Sequence, residues 1–251
     1  MLNPYHSFLS QIEKPSRYIG GEKFSIIKDW NSTQGKMVLA FPDTYEIGMG
    51  HLGFKILYEQ INKQPHLQAQ RVFCPWVDME KAIREHQLKL CTLETFTPLD
   101  QFNVVGFSLQ YELCYTNILT MLDLSQIPIY SKDRLDHHPI VMAGGPVATH
   151  SMPMDEFFDC VVIGDGEELV VTLLETISSL QNKKVPRIQI LKILSEFSGV
   201  YVPSFYTCSI DPYTQLEYVN IPSPIKKTFY TKLERLSLSC DSCGSSCQCN
   251  F

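Results

Sequence analysis

"FFDCVVIGDGEELVVTLLETISSL" (157–180) holds an apolar run, a two-glycine turn and a stretch with helical periodicity. The run 157–163 reads as a buried strand, and 167–180 as an amphipathic helix packed back onto it. A glycine turn between strand and helix usually receives an anion, because free N–H groups and the helix dipole point at it. Here Asp165, Glu167 and Glu168 already occupy that positive end, so a phosphate would be repelled. Without any ligand, glutamates at a helix start are worth about 0.3–1 kcal/mol each against the dipole, and Asp165 would serve as a cap.

The same strand–turn–helix unit recurs upstream. "KMVLAF" (36–41), "QRVFCP" (70–75), "FNVVGFSL" (102–109) and "HPIVMAGG" (138–145) read as buried strands, with "LKLCTLE" (88–94) as a further edge strand. Between them lie helical patterns at 51–62, with Leu52, Ile56 and Ile61 inward, and at 78–87 and 111–124. Continuous apolar strands alternating with helices predict a parallel α/β sheet of the flavodoxin or Rossmann type. About five strands are expected, with helices on both faces. Past residue 184 the pattern changes. A short helix at 189–199 precedes a hairpin of 200–206 with 216–220, and a proline-marked connector runs over 221–236. The expected organisation is an amino-terminal extension (1–35), the α/β domain (36–184), a small α+β extension (185–236) and a Cys/Ser-rich tail (237–251) that is not expected to order.

Composition narrows the function. The chain has 251 residues, 44% hydrophobic and 19% charged, with a formal net charge of −6. No basic stripe is available for phosphates, which excludes a nucleic-acid partner. No apolar run approaches the roughly 18 residues of a membrane span, and the start lacks signal-peptide character. Cys74, Cys91, Cys114, Cys160 and Cys208 are dispersed singly, as in a protein of the reducing cytoplasm.

Parallel sheets bind ligands at the carboxyl ends of their strands, where the strand order reverses. The glycine and polar turns fall at those ends: "PDTYEIGMGHLG", "SLQYE", "GGPVATH" and "GDGEE". Candidate binding residues are therefore Asp43, Gly50, Ser108, Leu109, Gly144, Gly145, Pro146, Gly164, Gly166 and Glu167. Trp76 reads as a loop anchor, and Tyr111 and Glu112 as packing or capping groups at a helix start. No nucleophile–base pair is identifiable. A flavin or dinucleotide site is disfavoured, because no Gly-x-Gly-x-x-Gly follows the first strand directly.

Five blocks stand in the order and spacing of one family: "KPSRYIGGE" (14–22), "FPDTYEIGMGHLG" (41–53), "RVFCPWVDME" (71–80), "GFSLQYELCYTN" (106–117) and "AGGP…FFDCVVIGDGEE" (143–168). The chain resembles the amino-terminal portion of the cobalamin-binding-domain radical SAM proteins, in their large fused subgroup of uncharacterised activity. The resemblance spans roughly residues 10 to 235. It implies a cobalamin-holding α/β module followed in cis by a barrel. In that barrel a Cys-x-x-x-Cys-x-x-Cys loop binds the [4Fe–4S] cluster that cleaves S-adenosylmethionine.

A corrinoid asks mainly for neutral hydrogen-bonding surface, and glycines let a backbone approach its broad ring. Two departures from the family stand out. Carriers with an axial histidine use Asp-x-His-x-x-Gly, but here Met49 sits where the aspartate belongs before His51, and Gly53 comes one residue early. His51 therefore reads as a helix-start residue. The end, "LSLSCDSCGSSCQCNF", spaces Cys240, Cys243, Cys247 and Cys249 by two, three and one residues. Those thiolates could ligate zinc or an iron–sulfur centre, yet their order departs from the cluster loop. The tail reads as a truncated or frame-shifted end, so the cluster and S-adenosylmethionine are not expected in this chain. The expected function is a cobalamin-binding-like module of a radical SAM protein, inactive alone. The alternative is a cofactor-free scaffold or docking domain for a radical SAM partner.

Overall fold

The computed structural model describes residues 3–167, 169–210 and 217–220. Six strands form one sheet: β1 (Gly35–Phe41), β2 (Leu67–Phe73), β3 (Val104–Ser108), β4 (Ile140–Gly144), β5 (Cys160–Val162) and β6 (Val200–Tyr201). Their order is β2-β1-β3-β4-β5-β6; the first five are parallel, and β6 runs antiparallel against β5. This is the flavodoxin-type order, extended by one strand.

Period-two alternation sends β1 side chains to two cores. Met37, Leu39 and Phe41 join the face covered by α2 (Leu52–Lys63), α5 (Leu169–Asn182) and α6 (Arg187–Leu194). Val38 and Ala40 join the face covered by α3 (Val77–Glu85) and α4 (Tyr115–Leu124). A short α1 (Tyr45–Gly50) lies directly after the first strand. With both faces buried, β1, β3, β4 and β5 are mostly apolar, while the edge strand β2 also buries Gln68, Gln70 and Arg71. Among the described residues, no helix is long and apolar enough to cross a membrane.

Several expectations need correction. Segment 88–94 is not a strand. It folds back on itself through one isolated bridge, Cys91 to Pro98, and meets the outer edge of β2 through Leu93 N–H donating to Arg71 O at 2.9 Å. Glu94 turns inward and fixes the edge: its carboxylate accepts from Arg71 N–H and Arg71 Nε, each at 2.7 Å, with both side chains buried. Burial raises the Glu94 carboxyl, and Arg71 opposes that. The inner face of α2 is Phe54, Tyr58 and Ile61, whereas Leu52 is 71% exposed. The hairpin pairs β7 (Thr207–Ile210) with β8 (Glu217–Asn220), because Pro203 opens a 3-10 turn that ends β6 after two residues.

The amino-terminal stretch is not peripheral. Tyr5, Phe8, Leu9 and Ile12 are buried in the α3/α4 core. Tyr5 Oη donates to Lys89 O and accepts from Cys91 N–H. Farther along, Arg17 meets Glu46 of α1 at 2.9 Å and lies over the Trp76 ring, while Tyr18 Oη accepts from Trp76 N–H.

At the amino ends of β4 and β5, Asp159 Oδ2 accepts from Arg134 (3.0 Å), Arg187 (2.6 Å) and Val141 N–H (2.7 Å). Arg187, the first residue of α6, also donates to Leu135 O, His138 O and Pro139 O. All three charged groups are buried.

Candidate functional site at the carboxyl rim

The register fixes where the turns emerge. Ala40 lies opposite Phe107, Ser108 opposite Gly144, and Gly144 opposite Val162. The turns after β1, β3, β4 and β5 therefore open along one rim. Strand order reverses between β1 and β3, since β2 lies on one side of β1 and β3 on the other. That reversal creates a crevice outside the strand ends, the usual ligand position of such sheets.

Asp43 and Tyr111 meet at this crevice. The Tyr111 hydroxyl donates to Asp43 Oδ2, and Asp43 Oδ1 accepts from Thr44 N–H at 2.6 Å. The Asp43 carbonyl accepts from Cys74 N–H at 2.9 Å, and Asn117 Nδ2 donates to Pro42 O at 2.9 Å. The mouths of β1, β2 and β3 are thus laced together through one residue. Its hydrogen bond to Asp43 pushes the Tyr111 phenol up to about 12, so the hydroxyl keeps its proton at neutral pH. Two thiols lie close by. Burial pushes Cys74 up to about 12 and raises Cys114, whose Sγ donates to Tyr111 O at 2.8 Å. Both are protonated and poor nucleophiles.

Ser108 is half-buried at the end of β3 and accepts from Gln110 Nε2 at 2.6 Å. Leu109 differs from expectation: its side chain is fully buried, its N–H donates to Gly144 O at 2.7 Å, and its carbonyl accepts from Val147 N–H. Gly145 adopts φ +130°, and a Cβ there would lie 2.5 Å from Leu109 O. That glycine serves an internal close approach. At Gly144 a Cβ would make only ordinary contact, 3.5 Å from Val162 O. Pro146, Gly164, Asp165 and Glu167 are exposed along the same rim, and Gly164 has φ +106°. Gly166 is half-buried, and its carbonyl accepts from Val170 N–H at the start of α5. Gly50 is exposed, with open space where a side chain would be. Glu168, Cys240, Cys243, Cys247 and Cys249 lie outside the described residues.

His51 is the cap of α2. Its Nδ1 accepts from Phe54 N–H at 3.3 Å, and its ring lies 5.5 Å from that of Phe41. One imidazole nitrogen is committed to the helix, as the altered spacing around Met49 implied. Among the described residues, no group of three or more His, Cys, Asp or Glu side chains could hold a metal ion. Along the rim, Ser108 and Tyr111 supply hydroxyls beside the carboxylates of Asp43, Asp165 and Glu167, and His150 is exposed in the turn after β4. Apolar side chains stand around the rim: Ile47, Leu52, Val77, Leu113 and Met152 are all exposed, with Trp76 beside them. Sequence reasoning gave Tyr111 a packing role and missed its bond to Asp43. The signal was a hydroxyl three residues beyond Ser108, in the turn that follows the strand next to β1.

Two further cavities lie elsewhere. One of about 20 Å³ sits beneath the amino-terminal segment, lined by Tyr5, Tyr18, Cys74, Met79 and Cys91 among others. The other, an open polar cleft of about 400 Å³ at the amino ends of β1 and β2, includes His66 and Glu175, 2.8 Å apart.

A mostly parallel sheet with helices on both faces, its turns opening at the β1/β3 reversal, defines a flavodoxin-type α/β module. The chain belongs to the family of radical SAM protein amino-terminal regions, whose family model matches residues 53–203. It is similar to solved structures of a radical S-adenosylmethionine methyltransferase, TsrM, from Kitasatospora setae. One, with cobalamin and a [4Fe–4S] cluster bound, is 14% identical over 57% of this chain and 26% of that chain, with a TM-score of 0.39. Another, with tryptophan substrate and a SAM analog bound, is 12% identical over 71% and 29%, also with a TM-score of 0.39. The match spans under a third of either structure's length. No curated protein matches the chain.

Proposed function

We propose that this chain is the corrinoid-holding module of a radical SAM protein. The observation that carries the reading is the placement of four strand-end turns on one rim at the point where strand order reverses. Ser108, the backbone at Gly144 and Gly164, and the Asp43–Tyr111 pair would hold cobalamin. The group would bring methyl-carrying or rearrangement chemistry to the site. The chain's own residues bind the ring, orient it and exclude water beneath it. The acidic turn at Asp165 and Glu167 supports a ligand met through its amides over one met through a phosphate. S-adenosylmethionine cleavage is assigned to the barrel that relatives carry in cis and not to these 251 residues, because the cysteines at 240–249 lack the Cys-x-x-x-Cys-x-x-Cys order.

A second reading, a cofactor-free docking domain for a radical SAM partner, is favoured by the exposed apolar side chains Leu52, Val77, Leu113 and Met152 around the rim. Incubation of the 251-residue chain with hydroxocobalamin followed by gel filtration separates the two. Corrinoid absorbance eluting with the protein is expected. Its complete loss to the small-molecule fraction would favour the docking reading.

A further inference from the structure

We infer that Asp43 and Tyr111 form a receptor for a primary carboxamide, and that they choose amide-bearing corrinoids over their acid counterparts. The inference rests on the corrinoid reading above and goes further by assigning one recognition contact. A primary carboxamide offers N–H donors on one side and a carbonyl acceptor on the other. The crevice offers the complement. Asp43 supplies carboxylate oxygens that accept, and Tyr111 supplies a hydroxyl that donates.

Three observations carry the assignment. The pair bridges β1 and β3, the two strands between which the sheet order reverses, so it stands at the crevice itself. Asp43 is held from two further directions, through Thr44 N–H on its own turn and Cys74 N–H on the neighbouring one. Cys74 N–H thus holds the Asp43 backbone carbonyl, and Thr44 N–H holds the carboxylate. Tyr111 is 36% exposed, so its ring has room to turn toward an incoming group. In the free protein the two partners satisfy each other. A carboxamide inserted between them takes the hydroxyl on its carbonyl and gives an N–H to the carboxylate, so no polar group is left unpaired. A free acid cannot do this. Its carboxylate can take the Tyr111 hydroxyl but has no proton to give Asp43, and like charges at contact distance repel.

The test compares hydroxocobalamin with cobyrinic acid, whose side arms are free carboxylates, by equilibrium dialysis against wild type, Asp43→Asn and Tyr111→Phe. Wild type is expected to prefer hydroxocobalamin. Asp43→Asn should weaken hydroxocobalamin binding by about tenfold and bring cobyrinic acid closer, since an asparagine amide donates to a carboxylate. Tyr111→Phe removes one exposed hydroxyl, leaves the fold intact and should weaken hydroxocobalamin about threefold to tenfold. Circular dichroism of each variant checks folding. Equal affinities across all three proteins, with hydroxocobalamin bound, would overturn the carboxamide assignment while leaving the corrinoid reading in place. Absence of binding to folded wild type would overturn both.

Discussion

At the scale of single residues, two adjacent glycines that look alike in "AGGP" have different work. Gly145 sits at φ +130° with Leu109 O where its Cβ would go, so a side chain there both strains the backbone and collides. Gly145→Ala should destabilise the fold by about 1–3 kcal/mol in urea titrations. Gly144 faces only ordinary contacts, and Gly144→Ala should stay within about 0.5 kcal/mol of wild type. If the corrin ring rests on this backbone, Gly144→Ala should nevertheless lose hydroxocobalamin in gel filtration. The sequence marked both glycines as a ligand turn, and only the neighbouring strand's carbonyl distinguishes them. The same limit applies to Asp43. Its place at a strand end was legible, but its bond to Tyr111 depends on which strand neighbours β1, and pairing order is not written in local periodicity.

At the scale of elements, β1, β3, β4 and β5 were legible because strands covered on both faces are mostly apolar, a rule the edge strand β2 relaxes with Gln68, Gln70 and Arg71. Segment 88–94 mimicked such a strand through Leu88, Leu90 and Leu93, yet it meets β2 mainly through the inward Glu94 and its bond to Arg71. An acidic residue turned into a core carries no signal of its own until its guanidinium partner is known. The amino-terminal stretch went the other way. Tyr5, Phe8, Leu9 and Ile12 follow the i, i+3, i+4, i+7 spacing of a buried face, so the signal was present although the segment folds as short 3-10 turns. Phe8 is buried and stacks on His86 with ring centroids 4.5 Å apart. Phe8→Ala should therefore cost about 3–5 kcal/mol. A change within about 0.5 kcal/mol, as at a surface site, would mean that the segment is not part of the core.

At the scale of the whole molecule, the described residues make a six-stranded sheet with two cores and a separate β7–β8 hairpin, and the site is a property of how five parallel strands end together. Side chains from the turns after β1, β2 and β3 converge there, while the amino-terminal segment reaches the same rim through Arg17 and Tyr18. A ligand bound at the rim would thus be felt by both faces of the sheet. A boundary drawn after residue 184, where the sequence changes character, looks different once the buried guanidinium of Arg187 is considered. Cutting there removes the donor to three carbonyls and to Asp159, and strips Ile190, Leu191 and Leu194 from their core. A 1–184 fragment should therefore unfold at markedly lower urea than a 1–210 fragment, read by the loss of circular dichroism.

That buried ion cluster also bears on how the protein comes into being. During synthesis the strand pair β4–β5 emerges well before Arg187, and until α6 leaves the ribosome the carbonyls of Leu135, His138 and Pro139 have no guanidinium to cap them. The nascent sheet therefore waits for α6 before its amino edge, opposite the rim, is sealed.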